Sequence, residues 1–229
     1  MASWSGLTKG SAESLGYNGR MRVAKMPANQ DLLTNLRQGK PEACMELFES
    51  YADRIFRLAC GMLCDETLAE DVVQETFIKA LLNLDSFECR ASLGTWLYRI
   101  AYNASLARLR RHDKLFSVAD FTDPHTEQLL VPEQLERWHA SPEELLINAE
   151  VCAELDRQIC DLPLPLRVVF ILRDVEGLST AETAVALDIS PRTVRKRHDR
   201  ARLELRARLA IYFREQNKSK AASLNELQR

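Results

Sequence analysis

The chain has 229 residues, 46% of them hydrophobic and 28% charged, enough apolar material for one large core or two small ones. With 31 Lys and Arg against 33 Asp and Glu, the formal net charge is -2, which excludes a basic coat protein that wraps nucleic acid by bulk charge. No apolar run reaches the roughly 20 residues that cross a bilayer, and the first residues lack the basic-then-apolar plan of a signal peptide.

A cytoplasmic protein with no direct membrane insertion is implied, so the six cysteines (Cys44, Cys60, Cys64, Cys89, Cys152 and Cys160) are expected to be reduced thiols. Residues 1–28 are rich in Gly, Ser, Ala and Asn without hydrophobic period, the composition of a disordered extension. A short helix over residues 31–37 stops at Gly39. Pro41 then opens a longer helix with Met45, Phe48, Tyr51, Ile55, Leu58 and Met62 on one stripe. Asp65 restarts the chain into a helix reaching residue 82 that buries Leu68, Val72, Val73, Phe77 and Leu81. Its opposite face carries Asp65, Glu66, Glu70, Asp71 and Glu75 without one Lys or Arg among them. After an unsettled stretch at 88–94 comes a helix with Trp96, Leu97, Ile100, Ala101 and Ala104 inward and Arg99, Arg108, Arg110 and Arg111 along it.

Residues 113–140 change character, with Pro124, Pro132, scattered acids and no sustained stripe, and read as a linker. Ser141 and Glu144 have capping-box spacing and launch a helix toward residue 160, which LPLP breaks. A compact apolar helix over 167–175 ends at Gly177. A second capping box, Ser179 with Glu182, starts a short helix that carries Ala184, Val185 and Leu187 inward. Ser190 before Pro191 is another start signal, and only Asp188 and Ile189 separate the two, the spacing of a helix-turn-helix. In the second helix Val194, His198, Ala201 and Leu205 recur at core-facing period. Arg192, Arg195, Lys196, Asp199 and Arg200 are left outside, a basic face able to enter a DNA major groove. From residue 215 the polar tail is expected to fray.

The fold class is therefore all-α: two small helical domains, 29–112 and 141–214, joined by a flexible acidic linker at 113–140. The second ends in the helix-turn-helix, and residues 1–28 and 215–229 flank the pair. No nucleophile, base and orienter set, metal box or glycine-rich phosphate loop stands out, so neither an enzyme nor a cofactor is expected. Cys60 and Cys64 lie one helical turn apart, but no CxxC pair or neighbouring His completes a zinc set, and buried thiols are the plainer reading.

Three stretches carry a family resemblance: DVVQETFIKAL at 71–81, FECRASLGTWLYRIAYN at 87–103 and LPLPLRVVFILRDVEGLSTAETAVALDISPRTVRKRHDRAR at 162–202. In this order, with a linker between, they resemble the hallmark blocks of the extracytoplasmic-function sigma factors, bacterial subunits that bind core RNA polymerase and select promoters. The likeness extends over residues 31–209. It implies that Asp71, Gln74 and Glu75 contact core polymerase, at the β′ coiled coil, with the β subunit also engaged. It implies that Phe87 and Asn103 capture a base flipped from the minus-ten element while Arg99 and Arg108 steer the opened strand. It places Arg192, Arg195, Lys196, Asp199 and Arg200 at the minus-thirty-five element, and it implies an anti-sigma partner. The chain departs from the pattern at Cys89 and Arg90 in the base-capture loop, at Asp188 where a turn glycine is usual, and at His198 where an aliphatic residue packs. On the residues alone two other readings stay open: a homodimeric helix-turn-helix regulator with a helical sensor domain, and a thiol or metal sensor built on Cys60 and Cys64.

Overall fold

Helix starts and stops follow the local chemistry. In the computed structural model, which describes residues 30–112 and 149–227, α1 (Gln30–Arg37) is closed by Gly39 at a φ of +69°, a left-handed conformation that glycine adopts without a Cβ penalty. Pro41 opens α2 (Pro41–Leu63), its missing N–H being one the first turn leaves unpaired anyway. Asp65 caps α3 (Glu66–Leu82) by accepting the Leu68 N–H at 2.9 Å. A short 3-10 turn (Leu84–Ser86) leads to α4 (Leu93–His112). The second half comprises α5 (Ala149–Cys160), α6 (Leu164–Phe170) running on as a π-helical turn (Ile171–Val175), α7 (Thr180–Leu187) and α8 (Pro191–Leu227). Strands are absent among the described residues. The extension at 1–28, the linker at 113–140 and the Ser141 capping box lie outside the described residues.

The apolar stripes differ from expectation in three places. Met45 is 62% exposed, because α2 buries Ala43, Leu47, Tyr51, Ile55, Leu58 and Met62 instead. In α3 the small residues Ala69, Thr76 and Ala80 join Val72, Val73 and Phe77 at the contact with α2 and α4, which leaves Leu81 outside with Ile78 and Leu82. Val185 is exposed, since α7 turns Thr183, Ala184, Ala186 and Leu187 inward. The last helix also runs through residue 215, where fraying was expected, to Leu227. Glu, Gln, Lys, Ala and Leu dominate that stretch, and all are strong helix formers.

The two helical halves share one continuous buried cluster, from Leu32 through Leu205. Helix α4 packs on α7, and α2 packs on α5 and α6. At the centre of this contact sits Glu176, its side chain 0% exposed. Its carboxylate accepts from Arg54 Nε at 2.9 Å, from Arg57 Nε at 2.8 Å and from the Tyr98 hydroxyl at 2.7 Å, while its carbonyl accepts from Arg54 Nη2 at 2.9 Å. The π turn places it there: the Glu176 N–H reaches back five residues to the Ile171 carbonyl, and Gly177 follows at a φ of +71°. Burial raises the Tyr98 hydroxyl pKa, as does the Glu176 charge, so the phenol remains a donor. Burial disfavours the Arg54 charge, but Tyr98 and Glu176 outweigh it and hold that pKa above its ordinary value.

A second tie closes the same interface. Arg167 on α6 donates to the Met62 carbonyl at 3.1 Å and the Gly61 carbonyl at 3.4 Å, pairing groups that the end of α2 leaves open. Beside it Cys64 and Cys160 form a disulfide, with Cα atoms 6.0 Å apart across a sequence separation of 96. The expectation of six reduced thiols is corrected here. Packing brings the ends of α2 and α5 together, and spacing along the chain could not reveal it.

The helix-turn-helix is built as its signals require. Ser179 Oγ accepts the Glu182 N–H at 3.2 Å while the Glu182 carboxylate accepts the Ser179 N–H at 2.8 Å. Asp188 turns the chain at φ 56°, ψ 45°, and Ser190 Oγ accepts the Thr193 N–H at 3.1 Å to start α8. His198 Nε2 meets Asp174 Oδ2 at 2.5 Å, tying α8 to the π turn, as an edge histidine held by a hydrogen bond should.

Two predictions follow from this packing. Glu176→Ala leaves two guanidinium groups without their shared anion; both keep some exposure, 20% and 29%, so the cost falls to about 2 kcal/mol, below the roughly 3–5 kcal/mol of a fully buried pair. Under reducing conditions the radius of gyration in X-ray scattering should rise with helix content unchanged; an unaltered radius would show that the carboxylate does not hold the halves together. Asp188→Gly removes a left-handed strain of about 1 kcal/mol and an exposed 3.7 Å pair with Arg99 that contributes about 0–1 kcal/mol. The thermal midpoint should therefore rise by about 2 °C; a fall would mean that the Arg99 pair outweighs the strain.

Candidate nucleic-acid interface

The basic face of α8 is an exposed charged surface of the second half. Arg192, Arg195, Lys196 and Asp199 are all exposed at helical spacing, and Arg200 is half-buried beside them. Their opposite side is anchored by Val194, Ala201 and Leu205, all buried, so the helix presents these charges at a set angle. Arg197 is turned in and buried, a cation the hydrophobic period alone does not assign. It faces Tyr102 of α4: burial raises the Tyr102 hydroxyl pKa, and the Arg197 and Arg110 charges oppose the rise.

In the first half the candidate base-capture residues are spread over a loop and one face of α4. Phe87 is 7% exposed, its ring 4.9 Å from Trp96 at 33°, and its carbonyl accepts from Arg37 Nη2 at 2.8 Å. Asn103 is exposed two turns along α4 from Trp96, and Arg99 lies on the same side. Trp96 lies against Phe87 and is half-buried, although sequence reasoning assigned it to the core. The clue was its spacing of three and seven residues from Arg99 and Asn103. Cys89 is exposed at a φ of 57°, and Arg90 pairs with Glu88 at 2.6 Å.

Arg99 and Arg108 are engaged within the molecule. Arg99 meets Asp188 of the helix-turn-helix at 3.7 Å. Arg108 pairs with Glu75 and lies 3.8 Å from Asp71, so one proposed strand contact and two proposed polymerase contacts form a single cluster on α3 and α4. A hydrogen bond from Lys79, aided by Arg108, holds the Glu75 carboxyl below the usual carboxylate range. Asp71 and Gln74 remain exposed, and Ile78 and Leu82 continue their face at helical spacing with 58% and 79% exposure. That surface is therefore acidic at one end and apolar at the other. The hydrophobic period of the helix assigns neither Ile78 nor Leu82 to the buried side, and only their exposure shows the apolar end.

The pairing of Cys60 with Cys64 is not the one the fold makes. Cys64 is bonded to Cys160, and Cys60 is buried, its thiol pKa pushed up to about 11 by burial and then by nearby Glu66, Asp156 and Asp65. Among the described residues no group of His, Cys, Asp and Glu is placed to hold a metal ion, and no helix is long and apolar enough to cross a membrane.

Comparison with known proteins places both halves in one family. Sigma-70 region 2 matches residues 47–115, and Sigma-70, region 4 matches residues 152–205, which assigns the first half to a sigma domain and not to a sensor. The chain is 32% identical over 177 residues to the ECF RNA polymerase sigma factor SigW of Bacillus subtilis (strain 168), covering 77% of this chain and 94% of that one. It is 33% identical over 187 residues to the ECF RNA polymerase sigma-E factor of Escherichia coli (strain K12), covering 79% and 93%. Among solved structures, CnrH in complex with the cytosolic domain of CnrY aligns with a TM-score of 0.55 at 25% identity, over 79% of this chain and 96% of that one. The sigma factor RpoE of Bartonella quintana, in complex with the anti-sigma factor NepR, shares the fold at a TM-score of 0.53 and 21% identity, over 73% and 96%. With region 2 on α2 to α4, region 4 on α5 to α8, and relatives matched over nearly their whole length, the chain belongs to the extracytoplasmic-function family of RNA polymerase sigma factors.

Proposed function

We propose that this sigma factor divides promoter recognition between two surfaces that meet in its closed form. Arg192, Arg195, Lys196, Asp199 and Arg200 read the duplex minus-thirty-five element. Phe87, Trp96 and Asn103 hold a base flipped from the minus-ten element, and Arg99 and Arg108 guide the opened strand once freed from Asp188 and from Glu75. Asp71, Gln74 and Glu75, extended by Ile78 and Leu82, dock on the β′ coiled coil of core polymerase, and β completes the contact. Polymerisation chemistry stays with that partner, so the chain itself is non-enzymatic and works in the cytoplasm beside it. A partner of the anti-sigma class, such as Bartonella quintana RpoE has, would mask these surfaces.

The observation that carries this reading is the exposed basic face of α8 on a rigid, doubly capped helix-turn-helix. The two promoter elements are about 25 base pairs apart, or roughly 85 Å at 3.4 Å each. A compact body of about 150 residues, the size of the two halves without the last turns of α8, is only about 40 Å across. Both surfaces can therefore engage one promoter only after the halves separate.

Transcription reconstituted with bacterial core polymerase on fragments of the source genome tests the assignment. Asn103→Ala should slow promoter opening, read by permanganate reactivity, with core binding unchanged; equal loss of both would reject base capture. Phe87→Ala is a poorer probe, because emptying a buried aromatic site costs about 3–5 kcal/mol of stability. Arg195→Ala should cost about 1–3 kcal/mol of DNA affinity and relax preference at one position, whereas a uniform loss with a shallower salt slope would make it a phosphate contact.

A further inference from the structure

We propose that Cys64 and Cys160 are an oxidation site, a thiol pair whose disulfide bolts the two halves shut and whose reduction lets them part for promoter binding. The inference deepens the sigma reading and rests on it. Cys64 ends α2 of the first half and Cys160 ends α5 of the second, so the bond crosses the interface that must open. The chain between the described halves, residues 113–148, contains 36 residues. A stretch of that length spans at most about 130 Å, more than the promoter needs. With the bond in place, the Cα atoms of Cys64 and Cys160 stay 6.0 Å apart whatever the linker allows.

The site is built for exchange as well as for bonding. Cys64 is exposed and Cys160 half-buried, so small oxidants and reductants can reach them. Arg167 Nη1 lies 3.1 Å from Cys64 Sγ, where its charge favours the thiolate once the bond is open. The neighbouring Cys60 is buried with a raised pKa and is the protected thiol of the three. A disulfide in a compartment that keeps thiols reduced is characteristically transient and redox-sensing.

The chemistry balances with a hydroperoxide as oxidant. The Cys64 thiolate attacks one peroxide oxygen, the O–O bond breaks, and hydroxide leaves to take up a proton as water. The Cys160 thiolate then attacks the resulting sulfenic sulfur, forms the S–S bond and expels a second hydroxide, also protonated to water. Two electrons pass from the sulfur pair to hydrogen peroxide. A dithiol reverses the bond through a mixed disulfide, becoming a disulfide itself.

The full chain, treated with hydrogen peroxide or with dithiothreitol, provides the test. Oxidation should yield a linked Cys64–Cys160 peptide by mass spectrometry and slow amide exchange at the ends of α2 and α5 at least tenfold. With core polymerase and genomic promoter fragments, transcript yield should fall at least tenfold on oxidation of the sigma factor and return with dithiothreitol. Cys64→Ser and Cys160→Ser should be active and insensitive to both treatments. The bolt is overturned by absence of the linked peptide, by equal transcription from oxidised and reduced chain, or by serine variants that respond as the parent does. Should the reduced chain give no transcript with core polymerase, the sigma assignment fails separately, and equal amide exchange in the two redox states would still overturn the bolt.

Discussion

One buried carboxylate organises the closed molecule. Glu176 comes from the second half, but Arg54, Arg57 and Tyr98, its partners, come from the first, and its side chain has no contact with water. A carboxylate without partners would be costly to bury in such a place; the two guanidinium groups and the Tyr98 hydroxyl satisfy its oxygens. The arrangement depends on the π turn ahead of it, because one extra residue in that turn aims Glu176 toward the first half while Gly177 lets the chain reverse. Hydrophobic burial then closes around the polar centre, with Ile55, Leu58, Leu97, Val169 and Leu172 all buried in the shared cluster.

This interface also explains why residues with separate assigned roles are found holding one another. Arg99 reaches Asp188 of the helix-turn-helix, and Tyr102 faces the Arg197 charge, so helix α4 is covered by the helix-turn-helix half. Exposed pairs such as Arg99 with Asp188 contribute little on their own. The Glu176 cluster and the Cys64–Cys160 bond are of another order: the first is desolvated and the second covalent. The interface thus has weak contacts at its exposed edge and strong ones at Glu176 and the disulfide.

Much of the chain was legible in advance because its signals are local. Asp65, Ser179 with Glu182, and Ser190 with Pro191 each mark a helix start with a hydrogen bond spanning three residues, and each such bond is present. The outward set of α8 was legible for the same reason, since Val194, Ala201 and Leu205 define a core side and the charges must take the other. Errors fell where two faces of one helix are both apolar. Met45, Leu81 and Val185 were placed inside, yet packing chose smaller neighbours that allow helices to approach more closely.

The amino-acid sequence by itself determined the helices, their caps, the helix-turn-helix and the family, since all of these rest on residues within a few positions of one another or on blocks in a given order. Only the tertiary structure decided which cysteines pair, that Glu176 is the meeting point of the halves, that Arg108 is spent on Glu75, and that Phe87 rests on Trp96. Those outcomes join positions as far apart as 122 residues, as between Arg54 and Glu176. Hydrophobic period and capping chemistry act over one or two helical turns, so they carry no information about which distant surfaces meet.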